Sequence, residues 1–79
     1  MRLVESVVVD GVKADLYRAG NRLSAEVFPA GGESEEMGML VENGALVDYD
    51  GIEALPRVVL DLVRKQGIRV GAEFYQASW

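Results

Sequence analysis

The chain contains no cysteine and no histidine. Those two absences together remove thiolate nucleophiles, disulfides, tetrahedral zinc sites, haem attachment through cysteine and imidazole acid–base chemistry. The catalytic vocabulary that remains is carboxylates, lysine, tyrosine and hydroxyls. Ser6, Ser24, Ser34 and Ser78 are the only hydroxyl residues besides the tyrosines. Without histidine a serine nucleophile needs the rarer Ser-Lys arrangement, and nothing places a serine near Lys13 or Lys65. Long apolar runs are also missing. After Met1-Arg2 the apolar residues come in short stretches such as Val7-Val8-Val9, interrupted by Glu5 and Asp10, which reads as neither a signal peptide nor a membrane span. The cytoplasm is the expected location.

The most informative absence is of one charge sign over one stretch. From Leu23 to Pro56, 34 consecutive residues, there is no Lys or Arg and there are eight carboxylates: Glu26, Glu33, Glu35, Glu36, Glu42, Asp48, Asp50 and Glu53. The flanks reverse the balance, with four bases against three acids in residues 1–22 and four against two in residues 57–79. The overall charge of −5 therefore conceals a segment of −8. Such a segment gives one part of a small protein a negative field that suits a positively charged partner and opposes direct binding to nucleic acid.

With 79 residues, 49% of them apolar and 27% charged, the chain reads as one compact domain that folds on its own. A domain of this size buries only about 60% of the surface its unfolded chain exposes, which leaves little room for a deep, enclosed active site.

Strict alternation at Val12, Ala14 and Leu16, and again at Leu23, Ala25 and Val27, predicts two half-buried strands joined through Gly20-Asn21 as a type II′ turn. That register sets Leu16 opposite Ala25 and Ala14 opposite Val27 on the apolar face. On the polar face it sets Asp15 opposite Glu26, a like-charge pair that destabilises a sheet unless a neighbour such as Lys13 relieves it or a cationic partner meets it. Asn43-Gly44 signals a type I′ turn, so residues 37–42 and 45–49 pair as a second hairpin. The expected register puts Leu40 opposite Val47, Val41 opposite Leu46 and Met39 opposite Asp48. Both faces of this hairpin are substantially apolar; one packs on the core while the other presents Met39, Val41 and Leu46 beside Asp48 and Asp50, a mixed surface typical of a protein contact.

A helix starts near Leu55-Pro56, because proline is tolerated in a first turn and not in a helix interior. Leu55, Val58, Val59, Leu62 and Val63 line one face, Arg57, Asp61, Arg64 and Lys65 point away, and Gly67 ends it. Ile68, Val70, Ala72 and Phe74 alternate with polar residues and glycine as a last strand. The expected architecture is an α+β domain: a mostly antiparallel sheet of about five strands with two hairpins and one helix packed on one face.

Residues 29–36 form an acidic loop that lacks the spacing of a calcium loop and the lysine of a phosphate-binding loop. Arg64, Lys65 and Arg69 cluster near the helix end, where they complement its dipole. Phe74 belongs to the core by its parity, and Tyr75 and Trp79 are either an exposed aromatic anchor or a cover for a core edge. No cofactor and no metal is expected.

A compact acidic chain of this size, with strands ahead of a short helix, resembles the anti-CRISPR proteins of phages and mobile elements, in particular those acting on type I systems. The resemblance spans the whole chain and rests on size, acidity and element order. That family has many folds, so it transfers no residue position by position. It implies a non-enzymatic protein in the cytoplasm of a bacterial host cell that occupies the positively charged DNA-binding surface of a CRISPR-Cas complex as a DNA mimic; a monomer is expected over a dimer. Glu33, Glu35, Glu36, Glu42, Asp48 and Asp50 would then stand in for phosphates, with Met39 and Val41 slowing release. The competing class is an antitoxin-like or assembly module that pairs through a sheet edge without mimicry. A third is a metal-dependent hydrolase built on Asp15, Glu26 and the pair Asp48 and Asp50.

Overall fold

In the computed structural model, which describes residues 1–76, five strands form one antiparallel sheet and two helices follow. The strands are β1 (Arg2–Val9), β2 (Val12–Ala19), β3 (Arg22–Phe28), β4 (Glu35–Glu42) and β5 (Ala45–Asp50); the helices are α1 (Arg57–Lys65) and α2 (Ala72–Gln76). The strands lie in chain order, β1-β2-β3-β4-β5, so each pairs with the next. The α+β architecture is the expected one. Trp79 lies outside the described residues.

The turn chemistry accounts for the order. Asn43 and Gly44 both take positive φ, 52° and 75°, as a type I′ turn requires, whereas at Gly20-Asn21 only the glycine does, at 62°, as in type II′. The β2–β3 register is as predicted, with Leu16 opposite Ala25, Ala14 opposite Val27 and Asp15 opposite Glu26. A third two-residue turn, Asp10-Gly11 with φ 51° and 80°, joins β1 to β2. Its Asp-Gly signal is as plain as the other two.

One face of the sheet buries Ala14, Leu16, Leu23, Ala25, Val27, Met37, Met39, Val41 and Leu46 against Leu55, Val59, Leu60, Leu62 and Val63. α1 packs over β1 and β2 and against α2. Pro56 stands as its N-cap with φ −62° and ψ 148°, and Gly67 ends it at φ 81°, donating to the Arg64 carbonyl at 2.9 Å. The helix buries Leu60 completely while Val58 is only half-buried, a rotation of the apolar stripe from the one the sequence suggests. No helix among the described residues is long and apolar enough to cross a membrane.

Two expectations are corrected. The first concerns β5. Val41 faces Leu46 as predicted, but Leu40 faces Asp48 and Met39 faces Tyr49, because Val47 is an extra residue in a bulge. Leu46 therefore points into the core while Asp48 and Asp50 point out. Strict alternation from Leu46 would have turned both carboxylates inward. Met39 and Val41 are core residues, 3% and 4% exposed, and do not share a surface with the acids. The second concerns the end of the chain, which does not form a strand. Arg69 makes a single parallel bridge to Ala45, and residues 72–76 turn into α2. Val70 and Phe74 are spaced four apart as well as alternating, so this short run fits both periods. Phe74 reaches the core from α2 and meets Tyr49 edge to face at 6.1 Å.

The bulge yields a test of this parity argument. Deletion of Val47 leaves a regular strand with Leu46 and Tyr49 inward and Asp48 and Asp50 outward, so the urea midpoint should barely move. Insertion of one alanine after Asp48 turns a carboxylate into the core in either register, Asp50 if the bulge is kept and Asp48 if it is lost, and should abolish cooperative unfolding. Equal effects of the two changes would refute the argument.

A second expectation comes from the junction of β1 and α1, where the Glu5 carboxylate accepts from Lys65 at 2.7 Å and from Gln66 at 3.0 Å. The hydrogen bond from Lys65 holds Glu5 below the ordinary value of 4.5. A depressed carboxylate stabilises the fold above its unfolded pKa and loses that contribution as pH falls through the folded one. Glu5→Gln should therefore flatten the loss of stability below about pH 5, measured by urea unfolding across pH.

Candidate functional site

The helices cover one face of the sheet; the other is open. Strand period two and the registers fix what stands on it. Ser6 of β1, Asp15 of β2, Glu26 of β3 and Glu36 of β4 are consecutive cross-strand partners, so three carboxylates stand in one row. A parallel row runs Tyr17, Ser24, Gly38, Asp50, and a third runs Arg22, Leu40, Asp48. Glu42 is on the same parity at the end of β4.

Within the acidic row the charges are unequally compensated. Asp15 is nearly buried; it accepts from the Ser6 hydroxyl at 2.5 Å and lies 3.7 Å from Lys13, whose ammonium also sits 5.4 Å from the centre of the Phe28 ring. The like-charge contact of Asp15 with Glu26 is thus relieved from the Asp15 side. Among the described residues no ion pair or hydrogen bond reaches the carboxylates of Glu26 or Glu36.

Beside this row the face dips into a shallow, open depression of about 460 Å³ bordered by Arg22, Ser24, Leu40, Asp48 and Asp50. Gly38 makes its floor. A side chain there would meet the Asp50 carboxylate, since a Cβ would stand 2.6 Å from its Oδ1. Asp50 therefore lies across the gap that the glycine leaves.

Lys13 and Arg22 share the open face, whereas the bases of α1 lie on the covered side of the sheet. Arg57 and Arg64 stack over Tyr75 at 5.1 and 5.9 Å from the ring centre, Lys65 pairs with Glu5, and Arg69 donates to the Asn43 carbonyl at 2.8 Å. Arg69 is thereby separated from the cluster that sequence proximity suggests. Tyr75 is half-buried beneath the two guanidiniums.

Of the residues expected to meet a partner, Glu36, Glu42, Asp48 and Asp50 share the open face. Glu33 lies in the loop after β3, and Glu35 opens β4 on the opposite parity to Glu36, exposed at the sheet end. Met39 and Val41 are in the core. Asp15 and Glu26 join the face; the sequence reading sets them as a like-charge pair that Lys13 relieves or a cationic partner meets, without counting them among the contact residues, and the β2–β3 register carried that signal. The carboxylates run in lines across the strands instead of converging, and among the described residues no group of three is placed to hold a metal ion.

No protein-family model matches the chain, and no curated protein or solved structure matches it either.

Glu26, flanked by carboxylates on both neighbouring strands, should be a strained position. Glu26→Gln is expected to raise stability by about 0.2–1 kcal/mol at low salt, as relief of a directly opposed like-charge pair does. The gain should shrink as salt is raised. Urea unfolding at two ionic strengths measures it, and a neutral or destabilising outcome would show that the row carries no repulsion.

Proposed function

We propose that this protein is a non-enzymatic binding protein whose open acidic sheet face occupies a basic protein surface of the kind that receives DNA, acting as an anti-CRISPR-type inhibitor of a CRISPR-Cas complex. The observation that carries this reading is the gathering of Asp15, Glu26, Glu36, Glu42, Asp48 and Asp50 on one face that no other element covers.

Magnitudes support it. Four spacings between β1 and β5 make the face about 19 Å wide at roughly 4.8 Å per strand. That length of duplex carries about eleven phosphates at one per 1.7 Å, of which roughly half face any one protein surface. Six carboxylates against Lys13 and Arg22 approach that density. Long-range attraction of this kind speeds association, while the apolar and aromatic side chains between the acids, Leu40, Tyr17 and Phe28, supply contact that salt does not screen.

The competing reading, an antitoxin-like or assembly module that pairs through a sheet edge without mimicry, draws on the edge strand β1. Salt separates the two, because pairing through backbone hydrogen bonds and valines is nearly insensitive to it.

The test is capture of type I CRISPR surveillance complexes by the tagged protein, repeated with excess target duplex and at raised salt. Capture should be lost to both competitors. Asp48→Lys combined with Asp50→Lys should abolish capture while leaving the circular dichroism spectrum and melting temperature nearly unchanged, since both side chains are exposed. Capture by the double variant at wild-type strength, or capture indifferent to duplex, would overturn the reading.

A further inference from the structure

The two edges of the sheet are built differently. Along β5 and the turn before it, three outward backbone groups find partners within the chain. Leu46 N–H donates to the Arg69 carbonyl at 2.9 Å, Arg69 N–H donates to the Gly44 carbonyl at 2.9 Å, and Tyr49 N–H donates to the Asp48 carboxylate at 2.9 Å. The Val47 bulge bends this edge, and Asp48 and Asp50 charge it. These are the devices by which proteins close an edge to further strands.

β1 has almost none of them. A two-residue turn at Asp10-Gly11 makes Val9 and Val12 the closing hydrogen-bonded pair, so the backbone groups of Val7 turn toward β2 and those of Ser6 and Val8 turn outward. Among the described residues no hydrogen bond reaches those outward groups. The strand has no proline and no lysine, and its one bulge, at Val4, leaves Glu5 to Val9 regular. Its acid, Glu5, is already engaged by Lys65. Among the described residues six large hydrophobics are exposed; five are Met1, Leu3, Val4, Val8 and Val9, with Val8 at 66%, and the sixth is Val47.

The charges at the two ends of the strand select the occupant. Arg2 begins β1 and Asp10 follows it. A second copy aligned antiparallel about a two-fold axis at Ser6 brings Arg2 of each chain beside Asp10 of the other, whereas a parallel alignment sets like against like. The acids of β3 to β5 do not oppose the pairing. In the joined sheet the two β3 strands are five spacings apart, about 24 Å at 4.8 Å each, beyond the Debye length of roughly 8 Å at physiological salt.

We infer that two copies associate through antiparallel pairing of their β1 edges, joining two five-stranded sheets into one with both acidic faces on the same side. The sequence reading expects a monomer; the open edge argues for the dimer. This inference stands apart from what the acidic face binds, since a dimer with an inert face and a monomer that binds through it are separate results.

Sedimentation velocity of the full chain over a concentration series is the test. A monomer–dimer equilibrium is expected, with the dissociation constant roughly tenfold or more weaker for Val8→Lys, which places a lysine on the edge at an exposed position. Circular dichroism shows whether that variant remains folded. Because the chain has no cysteine, Ser6→Cys adds a single thiol at the proposed axis, and mild oxidation should give a disulfide-linked dimer, with Val47→Cys on the closed edge as control. A wild-type chain that stays monomeric into the millimolar range, or cross-linking no greater for Ser6→Cys than for Val47→Cys, would overturn the inference. So would a dimer that Val8→Lys leaves intact.

Discussion

Everything in this molecule depends on which face of the sheet a residue occupies, because there is one layer of helix and therefore one core. A residue on the covered face meets α1, α2 or the Leu55 segment; its neighbour one position along meets water. The alternation runs unbroken through β2, β3 and β4, and it is interrupted at Val4 in β1 and Val47 in β5. The second interruption separates Leu46 from Asp48 and so lets an apolar anchor and two carboxylates occupy one short strand. The Val4 bulge does the converse for β1. It lets Leu3 stand outward while Glu5 turns toward α1, where Lys65 and Gln66 receive it.

Much of this was legible in the sequence, and the reason is the turns. Gly20-Asn21 and Asn43-Gly44 each admit one tight geometry, and a two-residue loop fixes the pairing that follows it as far as the next bulge. The repulsive partnership of Asp15 and Glu26 follows from the first turn alone. What escaped was of two kinds. A bulge has no composition of its own: Val47 is an ordinary strand residue, and only the demand that Asp48 and Asp50 avoid the core reveals that one residue must be surplus. The 68–75 run carries both periods at once, and the choice falls to tertiary context. The edge of β5 needs only the one bridge that Arg69 supplies, and Phe74 fills the space beside Tyr49 from a helix as well as it would from a strand. The open face was half legible. Its carboxylates could be placed strand by strand, but that α1 lies over β1 and β2 and leaves the opposite face bare is a fact of packing.

The acidic face also shows an energetic pattern that an ordinary solubilising surface does not need. Spreading acids among bases would have kept the protein soluble without opposing like charges on adjacent strands. Here Glu26 stands between Asp15 and Glu36, while Arg57, Arg64, Lys65 and Arg69 are stacked on Tyr75 or bonded to Glu5 and Asn43. A cationic partner of the proposed kind would relieve that repulsion on binding, so part of the stability forgone in the free protein would return as affinity.

Face and edge place different demands on a partner, and the structure keeps them apart. Recognition through the face, as proposed, would be electrostatic and spread over side chains, whereas the inferred pairing through β1 would be local, hydrogen-bonded and apolar. Closure of β5 matters to both. If its edge were open as well, edge-to-edge pairing would have no end and the chain would grow into a ribbon; with that edge obstructed by Arg69, Asp48 and the Val47 bulge, the inferred pairing through β1 would stop at two. The inferred pair would present two acidic faces side by side on one surface, which would extend the length of basic surface that the proposed function requires it to cover without adding a residue to the chain.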